Sequence, residues 1–190
     1  MKKMLLLLAL IIAILLSACG NSGVNDSGMT IRPSKFSEET QGVLKIFEDE
    51  MVFLDYTVDE TVKYFSVNIW WYKNGEWVAD GKLSDSIDYL SNRIGIRLKE
   101  SGIEVFSLEE NGDYTKYGFF QDETVFFDSN VATTHISNPT PISLNEEIPL
   151  WIKFGMDKSG KLIRISDDFK KLDCNGGVAV TVTFSDKEVE

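Results

Sequence analysis

Ten short segments of this chain place apolar residues at every second position, and turn-forming pairs separate them. A period of two is the period of a β-strand, whose side chains point alternately to the two faces of a sheet. The segments are MVFLDYTV (51–58), VKYFSVNIWWY (62–72), EWVADGKL (76–83), RIGIRLK (93–99) and IEVFSL (103–108). YTKYGFF (114–120), ETVFF (123–127), PLWIKFGM (149–156), KLIRIS (161–166) and VAVTVTF (178–184) follow. In the last, Val178, Val180, Val182 and Phe184 alternate with Ala179, Thr181 and Thr183. Leu150, Ile152, Phe154 and Met156 alternate with Trp151 and Lys153 in the same way. Both patterns predict strands with one core face and one wet face, the habit of antiparallel sheets. Asn74-Gly75, Asn111-Gly112 and Asp157-Lys158-Ser159-Gly160 mark the turns. The expected fold is all-β, mainly an antiparallel β-sandwich with an immunoglobulin-like layout among its forms. One short N-terminal helix, about 38–48, joins it, since Ser37 precedes Glu38 and Glu39 while Val43, Leu44 and Phe47 share a helical face.

The first residues follow another rule. Lys2 and Lys3 precede an uncharged apolar run from Met4 to Leu16, too short to span a bilayer. A basic start, a short apolar run and small residues after it describe a secretory signal. Leu16, Ser17, Ala18 and Cys19, with Gly20 next, resemble the lipobox of bacterial lipoproteins. The resemblance covers about the first 20 residues. It implies cleavage before Cys19 and a diacylglyceryl group on its sulfur, so that residues 1–18 leave and the chain is anchored on the extracytoplasmic face of a bacterial membrane. Residues 19–35, rich in Gly, Ser and Asn, then read as a tether, and residues 36–190 as one domain.

Without residues 1–18 the chain carries 17 basic and 30 acidic side chains, a net charge of −13. Such a surface repels nucleic acid and anionic headgroups, so no nucleic-acid partner is expected and membrane attachment falls to the lipid. The one cysteine besides Cys19 is Cys174, in DCNGG; nothing nearby assembles the His together with Asn or Asp that activation needs, and it reads as a small buried hydrophobe.

The densest aromatic stretch is Asn68–Trp77, NIWWYKNGEW, with three tryptophans and a tyrosine around Asn74-Gly75. Asn-Gly suits a type I′ turn, because both central positions need positive φ. A two-residue turn pairs Lys73 with Glu76, Tyr72 with Trp77, Trp71 with Val78 and Trp70 with Ala79. Phe65, Val67, Ile69 and Trp71 then make a core row. Trp70, Tyr72 and Trp77, with Tyr64 and Asn68 further along, line the opposite side as a candidate binding face for sugar rings or a partner's apolar anchor. The competing reading is cross-strand aromatic pairing beneath a loop or the helix.

The same register logic places Glu110 opposite Asp113 at the tip EENGD, where calcium would relieve the repulsion. The spacing does not fit a calcium loop, so a solvated turn outranks a metal and no metal or cofactor is expected beyond the lipid. A single histidine, His135, and one remaining cysteine supply neither a triad nor a zinc site, and no phosphate-binding or nucleophile-elbow motif is present. These residues point to a non-catalytic binding or interaction module of the bacterial cell envelope, with an envelope protein or a glycan as partner. The alternatives are a carbohydrate- or envelope-polymer-binding module using the hairpin face, and a hydrolase built on paired carboxylates.

Overall fold

The computed structural model describes residues 28–99, 101–109, 111–120, 130–156, 164–165 and 167–188. They form eleven strands in two antiparallel sheets, a β-sandwich as expected. The strands are β1 (Thr30–Pro33), β2 (Met51–Thr57), β3 (Tyr64–Lys73), β4 (Glu76–Ser86), β5 (Ser91–Lys99) and β6 (Gly102–Leu108). β7 (Tyr114–Phe120), β8 (Val131–His135), β9 (Thr140–Pro141), β10 (Glu147–Gly155) and β11 (Gly177–Ser185) complete them. One sheet has the order β7-β6-β5-β2-β1-β9 and the other β4-β3-β11-β10-β8. The main core lies between them, built from Ile31, Leu54, Tyr56, Ile94, Ile96 and Val105 on one side and Val67, Ile69, Trp71, Val180, Val182 and Phe184 on the other.

Helix α1 (Glu38–Leu44) starts where the sequence puts it: Ser37 Oγ accepts from the Thr40 amide at 3.2 Å, satisfying one of the donors that a helix leaves open. The expected continuation to residue 48 is instead a 3-10 turn over Lys45–Glu50.

The chain enters the fold earlier than its composition suggests. Thr30–Pro33 pairs with β2 on one side and β9 on the other, and Met29 and Ile31 are buried in the main core. Residues 29–33, expected within the tether, therefore belong to the sandwich, which begins before residue 36. A strand of four residues containing Arg32 and Pro33 gives almost no periodic signal, and neither does β8, VATTH, at the sheet edge. The strand expected at 123–127 lies outside the described residues, as does most of 161–166, of which Ile165 sits in a turn.

Two strands depart from the one-wet-face pattern. On β11, Ala179 and Thr181 are as fully buried as Val178, Val180 and Val182, so neither face of this central strand is wet. On β10 the ladder to β11 runs Ile148↔Val182, Pro149↔Thr181, then Trp151↔Val180 and Ile152↔Ala179, with Leu150 as the extra residue of a β-bulge. The bulge inverts the strand's phase. Leu150 and Trp151 both pack into the main core, whereas Ile152 and Phe154 turn to the outer face. The expected single row Leu150, Ile152, Phe154, Met156 is thus split, and Trp151 is buried rather than wet.

Candidate functional site

The aromatic hairpin has the expected register. Asn74 and Gly75 have φ of 53° and 88°, and Lys73↔Glu76, Tyr72↔Trp77, Trp71↔Val78 and Trp70↔Ala79 are the observed pairs. Beyond them a bulge on β4 shifts the ladder between Trp70↔Ala79 and Asn68↔Lys82. Phe65, Val67, Ile69 and Trp71 are buried in the main core, as the alternation requires.

The opposite row is not a free platform. Trp77 is only 8 % exposed and belongs to a second core with Ile152, Phe154, Phe169, Leu172, Cys174 and Ala179, against which Trp70 and Tyr72 pack half-buried. The cover is a strap over residues 167–174, whose 3-10 turn Phe169–Lys171 begins with the Asp168 side chain accepting from the Lys170 amide. Phe169 meets the edges or faces of Trp77 and Trp70 at centroid distances of 5.0 and 6.0 Å, and Trp77 meets Tyr72 at 5.6 Å. Trp77 Nε1 donates to the Leu172 carbonyl at 3.0 Å, and the Tyr72 hydroxyl donates to Asp173 at 2.6 Å. β11 comes close beneath: a Cβ added at Gly177 would lie 2.5 Å from the Trp77 ring. Tyr64, at the far end of β3, is half-buried between Ser86 and Ser185. Sequence periodicity could find the row but not its cover, because the strap has no period of its own.

A polar latch closes the strap. Glu147 Oε1 accepts from Trp70 Nε1 at 3.0 Å and from Thr181 Oγ1 at 2.6 Å, while Glu147 Oε2 pairs with Lys170 Nζ at 2.5 Å. The Lys170 ammonium also sits 3.8 Å from the centroid of Trp70, a cation–π contact. Cys174 lies under the same cover, where burial pushes its thiol up to about 11, and it is buried as expected.

At the acidic tip the closure differs from the expected two-residue turn. Gly112 has φ of 91° but Asn111 is not left-handed, and the Glu109 amide donates to the Asp113 carbonyl at 2.9 Å. Asp113 therefore faces Glu109 rather than Glu110, which lies outside the described residues. The Asn111 amide stands between the two carboxylates, donating to Glu109 at 3.3 Å and to Asp113 at 3.0 Å. An internal donor thus takes the place that the calcium reading gave to an ion. No cluster of three or more potential metal ligands occurs among the described residues. His135 is exposed on β8.

The other sheet carries the polar concavity that periodicity missed. On its outer face the ladders set Arg32 beside Asp55, Asp55 beside Arg93, and Thr57 beside Ser91. These side chains line an open trough of about 510 Å³, which Leu108, Glu109 and Gly112 close from the β6–β7 side. Asp55 Oδ1 accepts from Arg93 Nε and from Ser34 Oγ, each at 2.6 Å. Arg93 lies over Phe36, its guanidinium carbon 4.6 Å from the ring centroid, and Phe36 in turn meets Phe53 edge to face at 5.4 Å. Burial opposes the charge of Asp55, but the hydrogen bonds from Arg93 and Ser34 and the charges of Arg93 and Arg32 outweigh it and hold the carboxyl below its ordinary value. Asp59, Glu104 and Asp168 are lowered as well. A general acid of a glycosidase needs the opposite shift.

The chain matches no protein-family model, no curated protein and no solved structure.

Proposed function

We propose that this chain is a lipid-anchored binding module of the bacterial cell envelope, held at the extracytoplasmic membrane face through Cys19 and engaging its partner without catalysis. What supports the anchor is the lipobox-like Leu16-Ser17-Ala18-Cys19, eleven positions ahead of the first strand at Thr30. A leash of that length has a random-coil span of roughly 15–20 Å, so the sandwich works within a thin shell beside the bilayer. Tethering of this kind raises the effective concentration of the module for neighbours in the shell.

The trough over β1, β2 and β5 supports the binding half of the reading. Its ionised Asp55, fixed between two guanidinium groups, suits hydrogen bonding to a ligand and not proton delivery to a leaving group. The hairpin face is a weaker site, since Trp77 lies under the strap.

Metabolic labelling with palmitate and glycerol tests the anchor. Label in the wild-type chain, absent from Cys19→Ala, is the expected result, with the variant moving from the membrane to the soluble fraction. An unlabelled wild-type chain, or a labelled Cys19→Ala variant, overturns it.

A further inference from the structure

We infer that the trough on the outer face of the six-stranded sheet is a binding site for an uncharged oligosaccharide, with Arg32, Asp55 and Arg93 as its hydroxyl-reading groups. The inference rests on the binding-module reading and names its ligand class.

Charge balance is the first argument. The chain is strongly acidic, yet the trough is lined by two guanidinium groups, Arg32 and Arg93, and two carboxylates, Asp55 and Glu109. Equal numbers of each sign give no net attraction for a phosphate, a polyanion or an amine. They do give donors and acceptors side by side, which is what a run of sugar hydroxyls requires, since each hydroxyl both donates and accepts.

Pre-organisation is the second. Asp55 uses Oδ1 for Arg93 and Ser34, and Oδ2 accepts from no described residue. Arg93 uses Nε for Asp55 and Ser34, at 2.6 and 2.9 Å, and its terminal nitrogens donate to no described residue. Arg32 is exposed beside Asp55, and its charge acts on that carboxyl without a hydrogen bond among the described residues. The stacking of Arg93 on Phe36 fixes the fork before any ligand arrives, so little side-chain freedom is lost on binding. Thr57 and Ser91, whose hydroxyls meet at 3.3 Å, extend the polar row, and Leu108 offers an apolar wall for the C–H face of a ring.

Size is the third. About 510 Å³ falls within the roughly 300–1,000 Å³ of small-molecule sites, and the open form admits a segment of a longer chain.

The test is a glycan array probed with the full-length, detergent-solubilised protein and carrying neutral oligosaccharides beside uronate-containing and phosphorylated ones. Calorimetry with the best neutral trisaccharide follows. The expected result is binding to a neutral subset. Arg32→Gln then weakens that binding at least tenfold without moving Tm, and Asp55→Asn weakens it by a similar factor at a lower Tm. Trp70→Ala, on the opposite sheet, leaves it unchanged.

Binding to none of the neutral glycans overturns the inference. So does preference for the charged ones, or an Arg32→Gln variant that binds as wild type. Because Arg32 is exposed, a folding defect does not cloud that variant. Palmitate labelling of Cys19 reads the anchored-module proposal separately, so failure on the array leaves that proposal standing.

Discussion

The sandwich has two cores that solve different problems. The one between the sheets is enclosed on both sides by strands, mostly aliphatic, and needs no polar fastening. Trp71 and Trp151 are buried there with indole N–H groups that meet no acceptor among the described residues. The one beneath the strap is aromatic and covered on one side only by residues 167–174. Its tryptophans are all fastened, Trp77 to the Leu172 carbonyl and Trp70 to Glu147 and Thr181. A sheet-on-sheet core is held by area, roughly 25 cal/mol per Å² of apolar surface. A strap buries too little to hold itself, and directional bonds to the sheet supply the rest.

Breaking each core in turn sharpens the contrast. Phe184→Ala, in the main core beside Tyr56, is expected to have the largest effect, about 3–5 kcal/mol, as a loss of global stability in denaturant unfolding. Trp77→Ala also removes a large buried ring, at about 3 kcal/mol, but its signature is local. In a Cys19→Ala background Cys174 is the only thiol, and its reaction with a disulfide reagent is expected to accelerate at least tenfold when Trp77 is lost. Equal acceleration by Phe184→Ala at matched native population would erase the distinction. Gly177→Ala drives a methyl into the Trp77 ring and is expected to cost about 1–3 kcal/mol by overpacking. Glu147→Gln keeps the shape of the latch but removes its charge, and about 1 kcal/mol with a faster Cys174 reaction is expected.

The smallest effect concerns the trough. Because Asp55 is held below its ordinary value in the fold, its ionised form contributes stability above about pH 4. That contribution disappears as pH falls through the folded-state value. Asp55→Asn is expected to lower Tm at pH 7 and to flatten the Tm–pH curve below pH 4. An unchanged curve would mean that Asp55 carries no such linkage.

These differences also mark what the amino-acid sequence discloses. The Asn74-Gly75 hairpin was legible pair by pair, because a two-residue turn with positive φ at both positions leaves one register. The tip at Asn111-Gly112 carries the same dipeptide and closes differently, so the dipeptide alone does not decide the register. The strap escaped notice because Phe169, Leu172 and Cys174 follow neither helical nor strand spacing, and their value lies wholly in what they cover. The trough escaped for another reason: Arg32, Asp55 and Arg93 sit on three separate strands, and only the ladders bring them together. The expectation of a wet face failed on β11 where Ala179 enters the second core, and on β10 where the bulge turns Trp151 into the main one.

The bulge at Leu150 has a bearing on how this chain can change length. With Leu150 excised, Pro149 still faces Thr181 and Trp151 still faces Val180, so the ladder becomes continuous and no other side chain exchanges its face. Excision of Ile152 instead moves every later residue of β10 to the wrong side. Position 150 is therefore the point at which β10 can lose a single codon without changing face, whereas two residues further on the same event turns Phe154 out of the second core.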